Sequence, residues 1–145
     1  NNMNITIRDF EPADMDAVLA IWLDASIIAH DFISPDFWKG QLGAMRDIYL
    51  PSANTKVATT EEGIIGFISV VDGYIAALFV DPACQSKGVG SSLVETVYTT
   101  ELRVGVYQKN LRATSFYLRT GFEIYGYDMQ EETKECVVML KRTYS

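Results

Sequence analysis

The stretch from Tyr74 to Leu93 constrains the fold more than any other. An apolar run, Tyr74-Ile75-Ala76-Ala77-Leu78-Phe79-Val80, is stopped by Asp81-Pro82; a turn, Ala83-Cys84-Gln85-Ser86-Lys87-Gly88-Val89-Gly90, leads into Ser91-Ser92-Leu93. The run has strand length and strand composition, and Asp-Pro ends it. Gly88 and Gly90 lack Cβ atoms, so their backbone can adopt unusual dihedrals and approach a ligand closely. The first N–H groups of the following helix have no internal partners and carry the positive end of its dipole. A phosphate placed there accepts those donors, and Lys87 adds a positive charge beside them. Two better-known phosphate motifs fail on spacing: no GxxxxGK[ST] string occurs, and Gly88-Val89-Gly90-Ser91-Ser92-Leu93 supplies only the first two glycines of GxGxxG. The same glycines also suit a turn that merely folds a helix back onto a sheet, and the segment alone leaves both readings open.

The flanking chain alternates element types without repeat, low-complexity tract or long linker, so a single domain over residues 1–145 is expected. Ile5 to Asp9 reads as a strand, and Pro12 opens a helix where its missing N–H costs least. Met15, Val18, Leu19 and Trp22 fall at helical spacing and are expected to face inward. A second helix is expected from Asp36 to Tyr49, burying Phe37, Leu42, Met45 and Tyr49 and stopped by Pro51. Lys56–Thr60, Ile64–Val71 and Tyr74–Val80 read as three antiparallel strands, the last two joined by the hairpin signal Asp72-Gly73. Ser91–Thr100 reads as a helix, Leu102–Tyr107 as a strand despite Gly105, and Leu111–Thr120 as a helix ended by Gly121. Tyr125–Gln130 and Cys136–Lys141 form a final strand pair. The fold class is therefore α/β (α+β), with helices against a mixed sheet.

Composition mainly excludes. The chain has 48% hydrophobic and 21% charged residues, as folded globular proteins do. Its 12 basic and 19 acidic residues give a net charge of −7, which argues against nucleic acid as a partner, since phosphate neutralisation needs a basic face. No apolar run approaches the roughly 18 residues of a membrane span, and no basic segment with an apolar core opens the chain, so a cytoplasmic protein is expected. Met3 is a candidate start, with Asn1 and Asn2 ahead of it. Cys84 and Cys136 lack CxxC spacing, and with His30 as the one histidine they make no metal site; two reduced thiols are expected.

Gln85-Ser86-Lys87-Gly88-Val89-Gly90 resembles the Q/R-x-x-G-x-G/A pyrophosphate signature of the GCN5-related N-acetyltransferase (GNAT) superfamily, placed after a strand ending Val-Asp-Pro. Downstream, Asn110-Leu111-Arg112-Ala113-Thr114-Ser115-Phe116-Tyr117-Leu118-Arg119-Thr120-Gly121-Phe122 resembles its N-x-x-A-x-x-F-Y-x-x-x-G-F block. Two motifs in the family's order are far more specific than either alone, and the element order fits over essentially the whole chain. Closer still, the chain resembles small bacterial acetyltransferases of amines and lysines.

The resemblance implies a mostly antiparallel sheet of six to seven strands with about four helices on its faces, splayed between the fourth and fifth strands. It implies acetyl-CoA as co-substrate, with backbone groups of Leu78, Phe79 and Val80 pairing with the pantetheine arm. Backbone N–H groups from Gln85 through Ser86, Lys87, Gly88, Val89 and Gly90 to Ser91 would surround the pyrophosphate, and an N–H near Phe79 would stabilise the oxyanion. Asn110, Ala113, Phe116 and Tyr117 would complete the cofactor side. Asn110 and Tyr117, seven residues apart, lie about 10 Å apart along one helical face. Tyr117 would be the general acid for the departing thiolate, a phenol being protonated at neutral pH. A core aromatic with a hydrogen-bonded hydroxyl is its other reading.

The acceptor would be an amine on a small molecule, a peptide or a protein lysine, attacking directly without a covalent enzyme adduct. A lysine with a reference pKa of about 10.4 is neutral in only about one molecule in 2,500 at pH 7, a deficit of roughly 4–5 kcal/mol. Many relatives carry a glutamate base on or near the fourth strand, but Tyr74-Ile75-Ala76-Ala77 offers no carboxylate. A water chain or a group from elsewhere would then serve. Trp22, His30, Phe32 and Tyr74 are candidates for the acceptor side, although His30 also suits a helix end and the aromatics suit a core. Cys84 has no evident base partner as a nucleophile. The chain is expected as a monomer or homodimer, and a non-catalytic acyl-CoA-binding regulatory domain is the alternative function.

Overall fold

The computed structural model describes residues 4–144, so Asn1, Asn2 and Met3 lie outside the described residues. The seven strands are β1 (Thr6–Asp9), β2 (Asn54–Thr60), β3 (Gly63–Val71), β4 (Tyr74–Val80), β5 (Glu101–Tyr107), β6 (Glu123–Gln130) and β7 (Glu135–Thr143). They form one sheet in the order β1-β2-β3-β4-β5-β7-β6, antiparallel except where β4 runs parallel to β5. This is the mixed sheet that the element order implied, and mostly antiparallel as the family resemblance implied. The parallel register covers Tyr74↔Arg103 and Ile75↔Val104. The chain divides at the next residue: one compact unit runs to Val71 and resumes over Ala76–Val97, and the other comprises Asp72–Ile75 and the chain from Tyr98 onward.

In the first unit, Arg8 grips Asp14 through two hydrogen bonds, Nη1 to Oδ2 at 2.8 Å and Nη2 to Oδ1 at 3.0 Å. Oδ2 also accepts the Glu11 N–H at 2.8 Å, which fixes the Pro12–Asp14 3-10 turn at the entrance to α1 (Met15–Ala29). The guanidinium contact holds the Asp14 carboxyl below the usual carboxylate range. Helix α1 buries Val18, Leu19, Ile21, Trp22 and Ala25, while Met15 is half-buried.

The expected second helix is broken. It consists of α2 (Pro35–Gly40), α3 (Leu42–Ala44), a π-helical run over Met45–Tyr49, and α4 (Leu50–Ser52). The Leu50 N–H donates to the Met45 carbonyl, five residues back, so the inward face slips by one position. Tyr49, expected inside, is therefore 54% exposed, and Leu50 takes the buried place. Phe37 and Leu42 are half-buried, and Trp38 is the inward residue of α2. Pro51 sits inside the first turn of α4, where no intrahelical N–H is required, and does not stop the helix before it.

Helix α5 spans Val89–Glu95 and ends well before the expected Thr100. Its last turn tightens: the Thr96 and Val97 N–H groups donate to Leu93 and Val94 at 3.1 Å each, and the Thr96 hydroxyl also donates to the Leu93 carbonyl at 2.6 Å. A threonine hydroxyl competing for backbone acceptors favours a helix end.

In the second unit, β5 and β6 flank β7, and α6 spans Leu111–Arg119. Gly121, at φ +97°, ends α6 in the left-handed conformation expected of a glycine there. Asp72 (φ +50°) and Gly73 (φ +75°) form the tight turn that Asp-Gly signalled. No helix among the described residues is long and apolar enough to cross a membrane.

Candidate active site

In the first unit, strand and turn fit together through specific backbone contacts. Gly66 on β3 leaves room for the Phe79 carbonyl: a Cβ there would lie 3.0 Å from that oxygen. The Asp81 N–H donates to the Ile65 carbonyl at 2.7 Å at the end of β4. The Asp81 carboxylate then accepts the Ala83 N–H at 3.0 Å and caps the Pro82–Cys84 3-10 turn. Gln85 Nε2 donates to the Val80 carbonyl at 3.2 Å, so the side chain braces the turn.

Beyond Gln85, Ser86 (φ +66°) and Gly88 (φ +82°) are both left-handed. Such alternation bends successive N–H groups toward one side and makes an anion-binding concavity. Ser86, Lys87 and Gly88 are exposed, and nothing lies within 4 Å of the Cβ position at Gly88. Val89 is buried and anchors the start of α5, with Gly90 and Ser91 half-buried after it. The loop thus offers space, oriented donors and a cation, and these fit a pyrophosphate. Leu78, Phe79 and Val80 lead into it half-buried, with the Phe79 ring 6.0 Å from that of Phe67. Burial and the nearby Asp81 push the Cys84 thiol above its ordinary pKa, opposite to what a nucleophile needs.

Trp22, His30, Phe32 and Trp38 form one cluster in this unit. His30 stacks on Trp38 (5.0 Å between centroids, 27°), and Phe32 and Trp22 meet that pair edge-on at 5.7 Å and 5.9 Å. Trp22 and His30 are each 6% exposed. His30 closes α1, its N–H donating to the Ser26 carbonyl at 3.1 Å. Burial lowers its imidazole pKa, against a smaller opposing effect of the Ser26 backbone. These three sequence candidates therefore pack among aromatic neighbours at the end of α1, in the core-like arrangement their spacing allowed.

In the second unit, Asn110 is the N-cap of α6; its Oδ1 accepts the Ala113 N–H at 3.1 Å. Its side-chain oxygen thus has a structural partner as well as the binding role expected of it. Ala113 and Phe116 are half-buried on the same helix. Tyr117 is 4% exposed, edge-on to Phe116 at 5.1 Å and Phe122 at 5.0 Å. Burial, reinforced by the nearby Tyr74 phenol, drives its pKa far above that of free tyrosine. It is protonated at neutral pH, as a free phenol is, and the upward shift makes it a weaker acid than free tyrosine.

The sequence did not disclose what Tyr74 does. Its hydroxyl lies against Gly105, where an added Cβ would be 2.9 Å away. Burial raises the Tyr74 pKa, partly offset by the nearby Gly105 backbone. The available signal was a glycine inside a strand, which marks close approach by another group. Among the described residues, no cluster of three or more His, Cys, Asp or Glu side chains is arranged to hold a metal ion.

Comparison with known proteins bears on these features directly. Residues 51–124 match the family description "Acetyltransferase (GNAT) domain". The chain is 34% identical over 131 residues to peptidyl-lysine N-acetyltransferase YiaC of Escherichia coli K12, covering 88% of this chain and 90% of that one. It is 32% identical over 127 residues to peptidyl-lysine N-acetyltransferase YjaB of Salmonella typhimurium, covering 86% and 87%. The solution structure of apo-form YjaB from Escherichia coli superposes with a TM-score of 0.85 at 28% identity, covering 99% of this chain and all of that one. At 17% identity, a likeness of fold alone, the PaiA N-acetyltransferase of Thermoplasma acidophilum, solved with coenzyme A, has a TM-score of 0.80 over 98% of this chain and 100% of that one. The chain belongs to the GNAT acetyltransferase family, and it is an N-acetyltransferase that uses acetyl-CoA as its acyl donor.

Proposed function

We propose that this chain acts as one catalytic domain that acetylates lysine side chains of proteins, by direct attack of the neutral amine on the thioester. The observation that carries the reading is Tyr117, a buried phenol on the helix that Asn110 caps. The acceptor class is supported by two relatives above 30% identity that bear the name peptidyl-lysine N-acetyltransferase.

Each residue has a defined task in this reading. Backbone N–H groups from Gln85 to Ser91 hold the pyrophosphate, with Lys87 adding charge. The backbone of Leu78, Phe79 and Val80 pairs with the pantetheine arm, and the Phe79 N–H steadies the negative charge that develops on the carbonyl oxygen. Tyr117 gives its proton to the departing thiolate. The strand segment Tyr74-Ile75-Ala76-Ala77 has no carboxylate, so the lysine proton leaves through a water chain or to a group from elsewhere in the chain. That step adds roughly 4–5 kcal/mol for a lysine at pH 7, and much less for an α-amine of pKa near 8. We place the protein in the bacterial cytoplasm, where Cys84 and Cys136 remain thiols.

The test is a panel of lysine peptides, peptides with free N-termini and small amines, each incubated with acetyl-CoA while released CoA is measured. Lysine peptides are expected to turn over best, with the acetyl group located on Nζ by mass spectrometry. Tight binding of acetyl-CoA with no release of CoA from any acceptor would overturn this reading in favour of a regulatory acyl-CoA-binding domain. The absent carboxylate is the feature that favours that second reading.

A further inference from the structure

We propose that the outer edge of β6 binds an extended, lysine-rich segment of a protein partner as an added strand. β6 is the last strand of the sheet order and is paired through one edge, to β7. Its register jumps from Ile124↔Leu140 to Gly126↔Met139, which leaves Tyr125 as a bulge. The bulge brings Ile124 into phase with Tyr127 and Met129, the residues opposite Val138 and Cys136, on one face of the strand. These three side chains are 40%, 62% and 56% exposed. Natural edge strands are commonly protected by lysine, proline, a bulge or a covering segment; here the bulge lies near the start of β6 and leaves Gly126–Gln130 in regular register. Glu123–Gln130 contains neither lysine nor proline. The edge therefore carries an exposed apolar stripe beside strand backbone that no further strand covers, and its Met129 N–H, now donating to the Asp128 carboxylate at 2.8 Å, would exchange that partner for an added strand.

Charge selects the occupant. Residues 123–132 contain Glu123, Asp128, Glu131 and Glu132 and no lysine or arginine. A second copy paired edge to edge would bring two such sets of carboxylates together. A segment alternating apolar residues with lysines would cover Ile124, Tyr127 and Met129 and bring its ammonium groups to the carboxylates. Eight residues of β6 span about 27 Å, so a partner segment of about eight residues fills the edge. The inference rests on the proposal that the acceptor is a protein, and it adds where that protein is held.

The probe is a synthetic ten-residue peptide alternating valine and lysine, with a valine–glutamate peptide as control. Amide hydrogen exchange of the intact protein is followed with each, at low and high salt. The valine–lysine peptide is expected to slow exchange in β6, less so at high salt, and the glutamate peptide to leave it unchanged. Tyr127→Lys, and separately Met129→Lys, are expected to raise KM for a lysine peptide on the order of ten-fold, with acetyl-CoA affinity and turnover of a small free amine unchanged. Two positions are used so that loss of folding at one does not decide the matter. Unchanged exchange in β6 with the valine–lysine peptide overturns the inference, as does protection that grows with protein concentration alone, which assigns the edge to a second copy. Exchange needs no turnover, so protection of β6 without peptide acetylation would remove the lysine-acceptor reading and leave the binding edge standing.

Discussion

Replacing Gly105 by alanine would put a methyl group 2.9 Å from the Tyr74 hydroxyl oxygen, 3.1 Å from Val137 Cγ1 and 3.3 Å from the Met139 sulfur. The three neighbours differ in how easily they yield. Tyr74 Oη is the far end of a side chain and can swing aside, but doing so moves the ring off its preferred rotamer, at a cost of about 1 kcal/mol. The Met139 side chain is flexible, whereas Val137 is a β-branched residue fixed in the β5–β7 ladder opposite Tyr107. Overpacking of this kind costs about 1–3 kcal/mol, and alanine in a strand recovers about 0.5–1 kcal/mol relative to glycine. The expected net loss for Gly105→Ala is about 2 kcal/mol. In a Tyr74→Phe background the hydroxyl is already gone and the ring need not move, so the same substitution is expected to cost about 1 kcal/mol. Urea denaturation of the four proteins closes a double-mutant cycle, with an expected coupling of about 1 kcal/mol. Additivity within about 0.4 kcal/mol, or a more stable Gly105→Ala protein, would refute the reasoning.

Three further outcomes are expected. The folded-state pKa of His30 is lowered from its ordinary 6.5, so on acidification the unfolded chain takes up that proton first. Its contribution to stability is then full above pH 6.5 and is lost as pH falls from there through the lower folded value; urea midpoints should drop across that window and flatten in His30→Gln. The raised Cys84 pKa predicts slow alkylation at neutral pH relative to a free thiol, by mass spectrometry, with turnover retained in Cys84→Ala. Gly88 has φ +82° and open space at its Cβ position, so Gly88→Ala should lose about 1–2 kcal/mol from backbone strain alone, and titration should show weaker acetyl-CoA binding as the loop reshapes.

The parts of this fold that could be read from sequence are those fixed by local chemistry. Asp72-Gly73 required a tight turn, Gly121 ended a helix, and Asp81-Pro82 closed a strand before the two glycines, so β3, β4 and α6 fall close to where they were expected. The exchange of Tyr49 for Leu50 was hidden because both are apolar and only the five-residue bond of the π run decides between them. Thr96 shortened α5 through a hydroxyl bond that composition does not announce. At the candidate site, the motifs indicated the loop and Tyr117, but the contact of Tyr74 with Gly105 joins residues 31 positions apart, and only the strand glycine hinted at it. Trp22 and His30 carried no sequence signal distinguishing a binding aromatic from a packed one; in the fold both are buried.

The central claim is that Tyr117 donates a proton to the leaving thiolate, and Tyr117→Phe tests it most directly because every ring contact with Phe116 and Phe122 is kept. The measurement is kcat with a lysine peptide, set beside the Kd for acetyl-CoA from titration. The account predicts a fall in kcat of about 10²–10⁴-fold with Kd changed by less than about three-fold. An unchanged kcat, or a loss carried by Kd with kcat intact, would contradict it.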